Sequence, residues 1–162
     1  MPSDVVFKAM NTLHRTLLTI SGGRLGWTAQ DMPVLELTTT GRKSGLPRSV
    51  MLTSPLQEGE ELIVVASRGG DDRPPAWFLN LKDNPDVQVR LRGEPSQQMR
   101  ARVVTAQERE RLWPLVVADH GNYAAYQTKT AREIPLVLLK PTALTDRSIP
   151  PAASAAESRA EG

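Results

Sequence analysis

Apolar and polar positions alternate with two different periods along this chain. Val5, Val6, Ala9, Met10, Leu13, Leu17 and Ile20 recur at three- and four-residue spacings, with Lys8, Asn11 and Arg15 on the other side. That period predicts an amphipathic helix over residues 4–19, capped by Ser3 or Asp4 and ended at Ser21-Gly22-Gly23. Residues 21–33 form a glycine-containing connector. From Val34 the pattern changes: residues 34–40 are rich in β-branched side chains and suit a strand. Gly41-Arg42-Lys43-Ser44-Gly45 makes a turn, and residues 47–55 read as a second strand. After a hairpin turn at Glu58-Gly59-Glu60, residues 61–67 form a third strand, apolar enough to be buried.

Residues 68–75 are rich in glycine and proline and form a loop. A short helix is expected over 76–84, stopped at Pro85 by its missing amide and ring clash. In 86–92, Val87, Val89 and Leu91 fall on one face and Gln88, Arg90 and Arg92 on the other, which is a strand period. Gly93-Glu94-Pro95 turns the chain, and 97–104 returns antiparallel. Thr105-Ala106-Gln107-Glu108 is a capping box for a helix running to Asp119, bent or interrupted at Pro114. A second short helix covers 122–130 and a final strand 134–140. The expected fold is therefore α+β: six mostly antiparallel strands in a small barrel with flanking helices, not a doubly wound sheet. Residues 1–20 are the N-terminal helix, 21–141 the barrel domain, and 142–162, rich in Ala, Ser and Pro, a disordered tail.

Composition narrows the chemistry. The 162 residues include 20 Lys+Arg, 18 Asp+Glu, two His and no Cys. Without cysteine there is no disulfide, thiolate nucleophile, iron–sulfur cluster or cysteine-bound zinc, and two histidines make a metal site an unpromising expectation. The net charge of +2 does not point to nucleic acid. No apolar run approaches the roughly 20 residues of a membrane span, and Lys8, His14 and Arg15 interrupt any signal-like core.

Three clusters could carry chemistry. Thr38-Thr39-Thr40-Gly41-Arg42-Lys43-Ser44-Gly45-Leu46-Pro47-Arg48 sets three cations and several hydroxyls around a glycine-flanked turn, with no acidic residue between Glu36 and Glu58. Such a turn suits an anion, although the P-loop spacing is absent; it equally suits a solvated hairpin tip. Ala66-Ser67-Arg68-Gly69-Gly70 ends the most apolar strand and is either a cofactor-contacting loop or an ordinary one. Beyond it, Trp77 and Phe78 are either core packing or a wall for a flat ring, with Asn80 fixing the loop. His120, Tyr123 and Tyr126 share one helical face, able to donate a proton or hydrogen-bond a carbonyl, or else simply to pack.

Together these blocks resemble the deazaflavin-dependent nitroreductase family, actinobacterial reductases that use coenzyme F420. The residues that carry the resemblance are Leu37 to Arg48, Val64-Val65-Ala66-Ser67-Arg68-Gly69-Gly70, Pro75-Ala76-Trp77-Phe78-Leu79-Asn80-Leu81-Lys82 with Asn84-Pro85, and Arg132-Glu133-Ile134-Pro135. The resemblance implies a split β-barrel like that of flavin-binding oxidoreductases. It implies that Lys43 and Arg48 hold the cofactor's phosphate and acidic tail, assisted by Ser44, Ser49, Val50, Met51, Leu52 and Thr53. Val65, Ala66, Ser67 and Arg68 would run along the deazaflavin ring, and Ala76, Trp77, Phe78, Leu79 and Asn80 would complete its wall. Tyr123, Tyr126, Ser67 and His120 would be the catalytic residues. His120, Thr53 and Phe78 replace aromatic residues common in relatives, so the resemblance does not carry over substrate choice or proton donor, and nitroimidazole reduction is not implied.

The activity so implied is hydride transfer from reduced F420 to a small electrophile: an enone, a quinone or a nitro compound. Rival expectations are an FMN-dependent oxidoreductase on the same fold, a non-enzymatic deazaflavin-binding protein, and a purely structural protein. No metal is called for. The expected location is the cytoplasm, with the N-terminal helix able to touch the inner face of the cell membrane and the barrel able to form a homodimer.

Overall fold

In the computed structural model, residues 28–29 and 32–142 are described. The helix expected over 4–19, its membrane contact and the tail beyond Thr142 lie outside the described residues. The chain runs β1 (Thr28–Ala29), β2 (Met32–Thr40), β3 (Pro47–Thr53), β4 (Leu56–Glu58) and β5 (Glu61–Val65). A 3-10 turn (Arg68–Gly70) and helix α1 (Ala76–Asp83) follow, then β6 (Asp86–Arg90) and β7 (Gln97–Val103). Helices α2 (Ala106–Asp119) and α3 (Asn122–Thr128) precede the last strand, β8 (Leu136–Pro141).

The strands form one antiparallel sheet in the order β3-β2-β6-β7-β8-β5-β4, with β1 pairing the first residues of β2. Among the described residues there are thus seven strands of three residues or more, plus the two-residue β1, rather than the six expected. The difference lies just after the second expected strand: β3 ends at Thr53 rather than Pro55, and residues 56–58, not expected as a strand, form β4. β3 pairs with β2 and β4 pairs with β5, at opposite ends of the sheet order, yet only Ser54 and Pro55 separate them. The first and last strands are therefore joined by two residues, and the sheet must curl into a half-barrel to let them meet. Ser54 makes this corner: its amide donates to the Pro33 carbonyl at 3.0 Å and its hydroxyl to the Ile63 carbonyl at 2.8 Å. Pro55, lacking an N–H, cannot extend the ladder.

Alternation along the strands supplies two cores. Leu62 and Val64 of β5 and Val137 and Leu139 of β8 point inward, joining Leu35, Leu37, Val87, Val89 and α1's Trp77, Phe78 and Leu81. Ile63, Val65, Leu136 and Leu138 point to the opposite face, where Leu112 and Val116 of α2 and Tyr123 of α3 cover them. Two-sided burial explains why residues 62–65 are apolar without a break. The capping box forms as expected, Glu108 N donating to Thr105 Oγ1 at 3.2 Å and Thr105 N to Glu108 Oε2 at 2.7 Å. α2 is not interrupted at Pro114 but runs on through it to Asp119. Glu110, whose carbonyl loses its usual donor there, is exposed to water.

Candidate functional site

The cationic turn between β2 and β3 is tightly specified. Gly41 N donates to Leu46 O and Gly45 N to Gly41 O, both at 2.8 Å, and Gly45 takes a left-handed φ of 69°. A Cβ on Gly41 would lie 2.6 Å from Ser44 Oγ and 3.2 Å from Leu46 O, so a larger residue there would displace the Ser44 hydroxyl. The Ser44 hydroxyl accepts from Leu46 N at 3.2 Å and Arg48 Nη2 at 3.4 Å. Asn80, buried on α1, reaches across to the same turn: its Oδ1 accepts from Arg42 N at 3.2 Å and Arg42 Nη1 at 3.3 Å. Asn80 Nδ2 donates to Thr39 Oγ1 at 3.1 Å, and that hydroxyl donates to Arg48 O at 3.4 Å. Asn80 is therefore the fastener of the turn, with its side chain fully engaged. Thr39, buried and missed as a site residue, is the link between them. Arg42, Lys43 and Arg48 are exposed, and among the described residues none of them pairs with a carboxylate.

β3 carries this turn toward a second cluster. Arg48 stands near its first residue and Thr53 at its last. Between them, Ser49 bonds Thr38 hydroxyl to hydroxyl at 2.8 Å, Met51 pairs in register with Glu36, and Val50 and Leu52 pack on the inner core. Thr53 Oγ1 lies 3.1 Å from the Tyr123 hydroxyl, which also donates to Met32 Sδ at 3.7 Å. Tyr123 is 5% exposed, and burial holds its phenol above tyrosine's ordinary pKa, against the lowering effect of the Thr53 bond. His120 and Tyr126 stand edge-to-face on either side of it, with ring centroids 6.5 and 6.1 Å away. The sequence thus placed these three rings together correctly; it could not reveal that Tyr123 is the inner phenol and Tyr126 the half-buried outer one.

The loop after β5 meets the tyrosine helix. Arg68, Gly69 and Gly70 all have positive φ (47°, 65° and 86°), a left-handed run that is costly for arginine. Gly70 is required, because a Cβ there would lie 2.7 Å from the Tyr126 carbonyl of α3. Val65 and Ala66 are buried, and Ser67 is 8% exposed at the entrance to this run. Arg68 Nε lies 3.8 Å from Asp71. Asp71 accepts from Arg73 N at 2.8 Å, and that bond, with help from Arg73 and Arg68, holds its carboxyl below the ordinary range.

Within α1, Ala76 is exposed, Leu79 half-buried, and Trp77 and Phe78 are buried in the inner core, in T-shaped contact at 6.3 Å. The two aromatics are thus core residues that brace the helix carrying Asn80. A cavity of about 400 Å³ beside the β4–β5 and β6–β7 turns, lined by Gln57, Glu60, Leu62, Leu91, Glu94 and Met99, shares no residue with these clusters. Among the described residues, no group of His, Asp and Glu could hold a metal ion.

An exposed cationic turn thus stands at one end of β3, and the phenols stand at the other, beside the left-handed loop of an antiparallel half-barrel. The family model for F420H(2)-dependent quinone reductase matches residues 11–141, and the chain belongs to that family. It is 38% identical over 131 residues to an F420H(2)-dependent quinone reductase of Mycobacterium tuberculosis, covering 78% of this chain and 87% of that one. A solved F420-H2 dependent reductase (FDR-A) superposes with a TM-score of 0.59 at 41% identity, covering 67% of this chain and 94% of that one. A domain-swapped dimer superposes at 0.61 with 37% identity, covering 80% and 96%. The heme storage protein HutZ of Vibrio cholerae, at 19% identity, TM-score 0.51 and coverage of 76% and 88%, shares the fold alone.

Proposed function

We propose that this protein is an oxidoreductase that carries hydride from reduced coenzyme F420 to a quinone-type acceptor, with enones and nitro compounds as further electrophiles. The observation that carries this is the turn at 41–48. Three exposed cations without carboxylate partners stand on a glycine cradle fastened by Asn80, in a chain that belongs to an F420-dependent family. When bound, the deazaflavin supplies the hydride.

The residues present fit such a group. Lys43 and Arg48 offer charge-assisted hydrogen bonds to its anionic tail; Ser44 holds Arg48, and Asn80 fastens the turn through Arg42. Residues 49–53 run as a strand from the tail toward the tyrosines, and Val65, Ala66, Ser67 and Arg68 flank the ring. On α1, exposed Ala76 meets the cofactor, backed by the packed layer of Trp77 and Phe78. The Tyr126 hydroxyl, more accessible than that of Tyr123, hydrogen-bonds the acceptor oxygen and delivers a proton to it. Tyr123 orients Tyr126 through the edge-to-face contact, with Ser67 and His120 as further hydrogen-bonding partners of the acceptor. The chain's own contribution is to bring donor and acceptor within about 3–3.5 Å and to donate hydrogen bonds as charge develops.

The test mixes purified protein, reduced F420 and menadione or cyclohexenone and follows the return of the oxidised chromophore. Saturable turnover is expected; binding without turnover across a broad acceptor panel contradicts the enzymatic assignment. A parallel FMN titration is expected not to saturate. A homodimer is also expected, supported by the domain-swapped relative, and sedimentation velocity measures it.

A further inference from the structure

Arg132 belongs to none of the groups assigned so far, yet it is the most heavily engaged side chain near the site. It lies in the segment between α3 and β8, half-buried. Its Nη2 donates to the carbonyls of Ala66 at 3.2 Å and Ser67 at 2.9 Å, and its Nε to the carbonyl of Asp71 at 2.9 Å. One guanidinium therefore gathers three backbone oxygens from both ends of the left-handed run at 68–70. The planar fork presents these donors in a fixed, spread geometry, whereas an ammonium offers them from a single rotatable point. Arg132 is itself fixed: Gln127 of α3 donates to its carbonyl at 2.8 Å and accepts from Ile134 N at 2.9 Å. On the other side, Ala66 N donates to Pro135 O at 3.0 Å. The loop is thus tied to the helix that carries both tyrosines.

The consequence for the site follows from peptide planarity. All peptide bonds of the described residues are trans, so each carbonyl points opposite to the N–H of the next residue. Holding the Ala66 and Ser67 carbonyls on the guanidinium turns the Ser67 and Arg68 amides to the opposite side. Ser67 has helical angles (φ −78°, ψ −36°) and Arg68 a positive φ. This right-handed then left-handed pair is the backbone arrangement that makes successive amides converge on an electron-rich atom.

Building on the F420 assignment above, we infer that Arg132 is a positioning residue: it sets the Ser67 and Arg68 amides as paired donors to the polar edge of the bound deazaflavin ring. Arg132 touches neither ring nor acceptor; it acts through the loop.

The experiment compares wild type, Arg132→Lys, Ser67→Ala and Ser67→Pro. The φ of Ser67 suits proline, so Ser67→Pro deletes one amide donor with little backbone distortion, whereas Ser67→Ala keeps it. Oxidised F420 is titrated by fluorescence, visible circular dichroism of the saturated complex reports the ring's surroundings, and menadione reduction gives kcat and KM. Arg132→Lys and Ser67→Pro are expected to alter the dichroism band and to lower kcat about 30- to 100-fold, with KM for menadione changing less than about 3-fold. Ser67→Ala is expected to keep the wild-type band. A wild-type band and kcat in Arg132→Lys overturns the inference. If Arg132→Lys does not fold, as judged by its thermal transition, the serine pair decides, and identical bands for Ser67→Pro and Ser67→Ala overturn it. Wild-type protein that fails to bind F420 overturns the cofactor assignment, and this inference with it. Binding without turnover overturns only the acceptor assignment, because the dichroism bands still decide the role of Arg132.

Discussion

Two sets of cations sit on this curled sheet, and they are used differently. On and around β6 and β7, Arg90 pairs with Glu36 at 2.5 Å, Arg100 with Asp86 at 3.1 Å and Arg102 with Glu108 at 2.7 Å; on α2, Arg111 pairs with Glu58 at 2.7 Å. In the turn between β2 and β3, Arg42, Lys43 and Arg48 have no carboxylate partner among the described residues, and residues 37–57 contain no acid. The first set ties strand to strand or strand to helix. In the second, the Ser44 hydroxyl holds Arg48 and the Asn80 amide holds Arg42, fixing position without neutralising charge. A charge that is positioned but not neutralised is available to a ligand. The contrast separates cations neutralised by carboxylates from cations left un-neutralised at the turn.

The sharpest break of that contrast is in the turn itself. Lys43→Ala or Arg48→Ala is expected to raise the F420 dissociation constant about 10- to 100-fold, the loss of about 1.5–3 kcal/mol from a hydrogen bond to a charged group. The thermal midpoint should stay within about 2 °C of wild type, measured by calorimetry. Asn80→Ala mixes the two behaviours. It removes three hydrogen bonds from a buried side chain, so chemical denaturation should show a loss of about 1–3 kcal/mol. F420 binding should weaken less than in Lys43→Ala, since the cations remain.

Arg90→Met tests the paired set. Glu36 is nearly buried and would lose its arginine, but Arg90 is itself about half exposed, which discounts the effect to about 1–2 kcal/mol of stability. F420 affinity should not change. The smallest effect is that of Glu108→Gln. The bond from Arg102, then that from the Thr105 amide, holds the Glu108 carboxyl down at about 2. A folded-state pKa below the unfolded value adds stability that is complete above the ordinary carboxylate range and lost as pH falls toward 2. Wild type and Glu108→Gln should therefore differ in thermal midpoint at pH 6 and converge near pH 2.

Most of the fold was legible because it is written in local periods. The alternation of Val87 and Val89 with Gln88 and Arg90 gave β6, and the Thr105–Glu108 spacing gave the start of α2. The corner at Ser54 was not legible: a three-residue strand after Pro55 has no period of its own, and its pairing with β5 is a property of the closed sheet. The site divides in the same way. The glycine turn and the shared face of His120, Tyr123 and Tyr126 are short-range features. The Asn80–Arg42 bonds span 38 residues, and Arg132 reaches its carbonyls across 65 and 66, so neither contact leaves a local trace. Trp77 and Phe78 had two readings at the sequence level; both lie buried in the inner core, a depth no local period encodes.

In the proposed function, the un-neutralised turn grips the anionic cofactor. The most direct test of that grip is equilibrium titration of oxidised F420 into wild type and a Lys43→Ala/Arg48→Ala double variant, each at two salt concentrations. Saturable wild-type binding that weakens with salt, and a double variant of unchanged stability with little or no binding left, are the predicted results. Equal dissociation constants for the two proteins, with no dependence on salt in either, would contradict it.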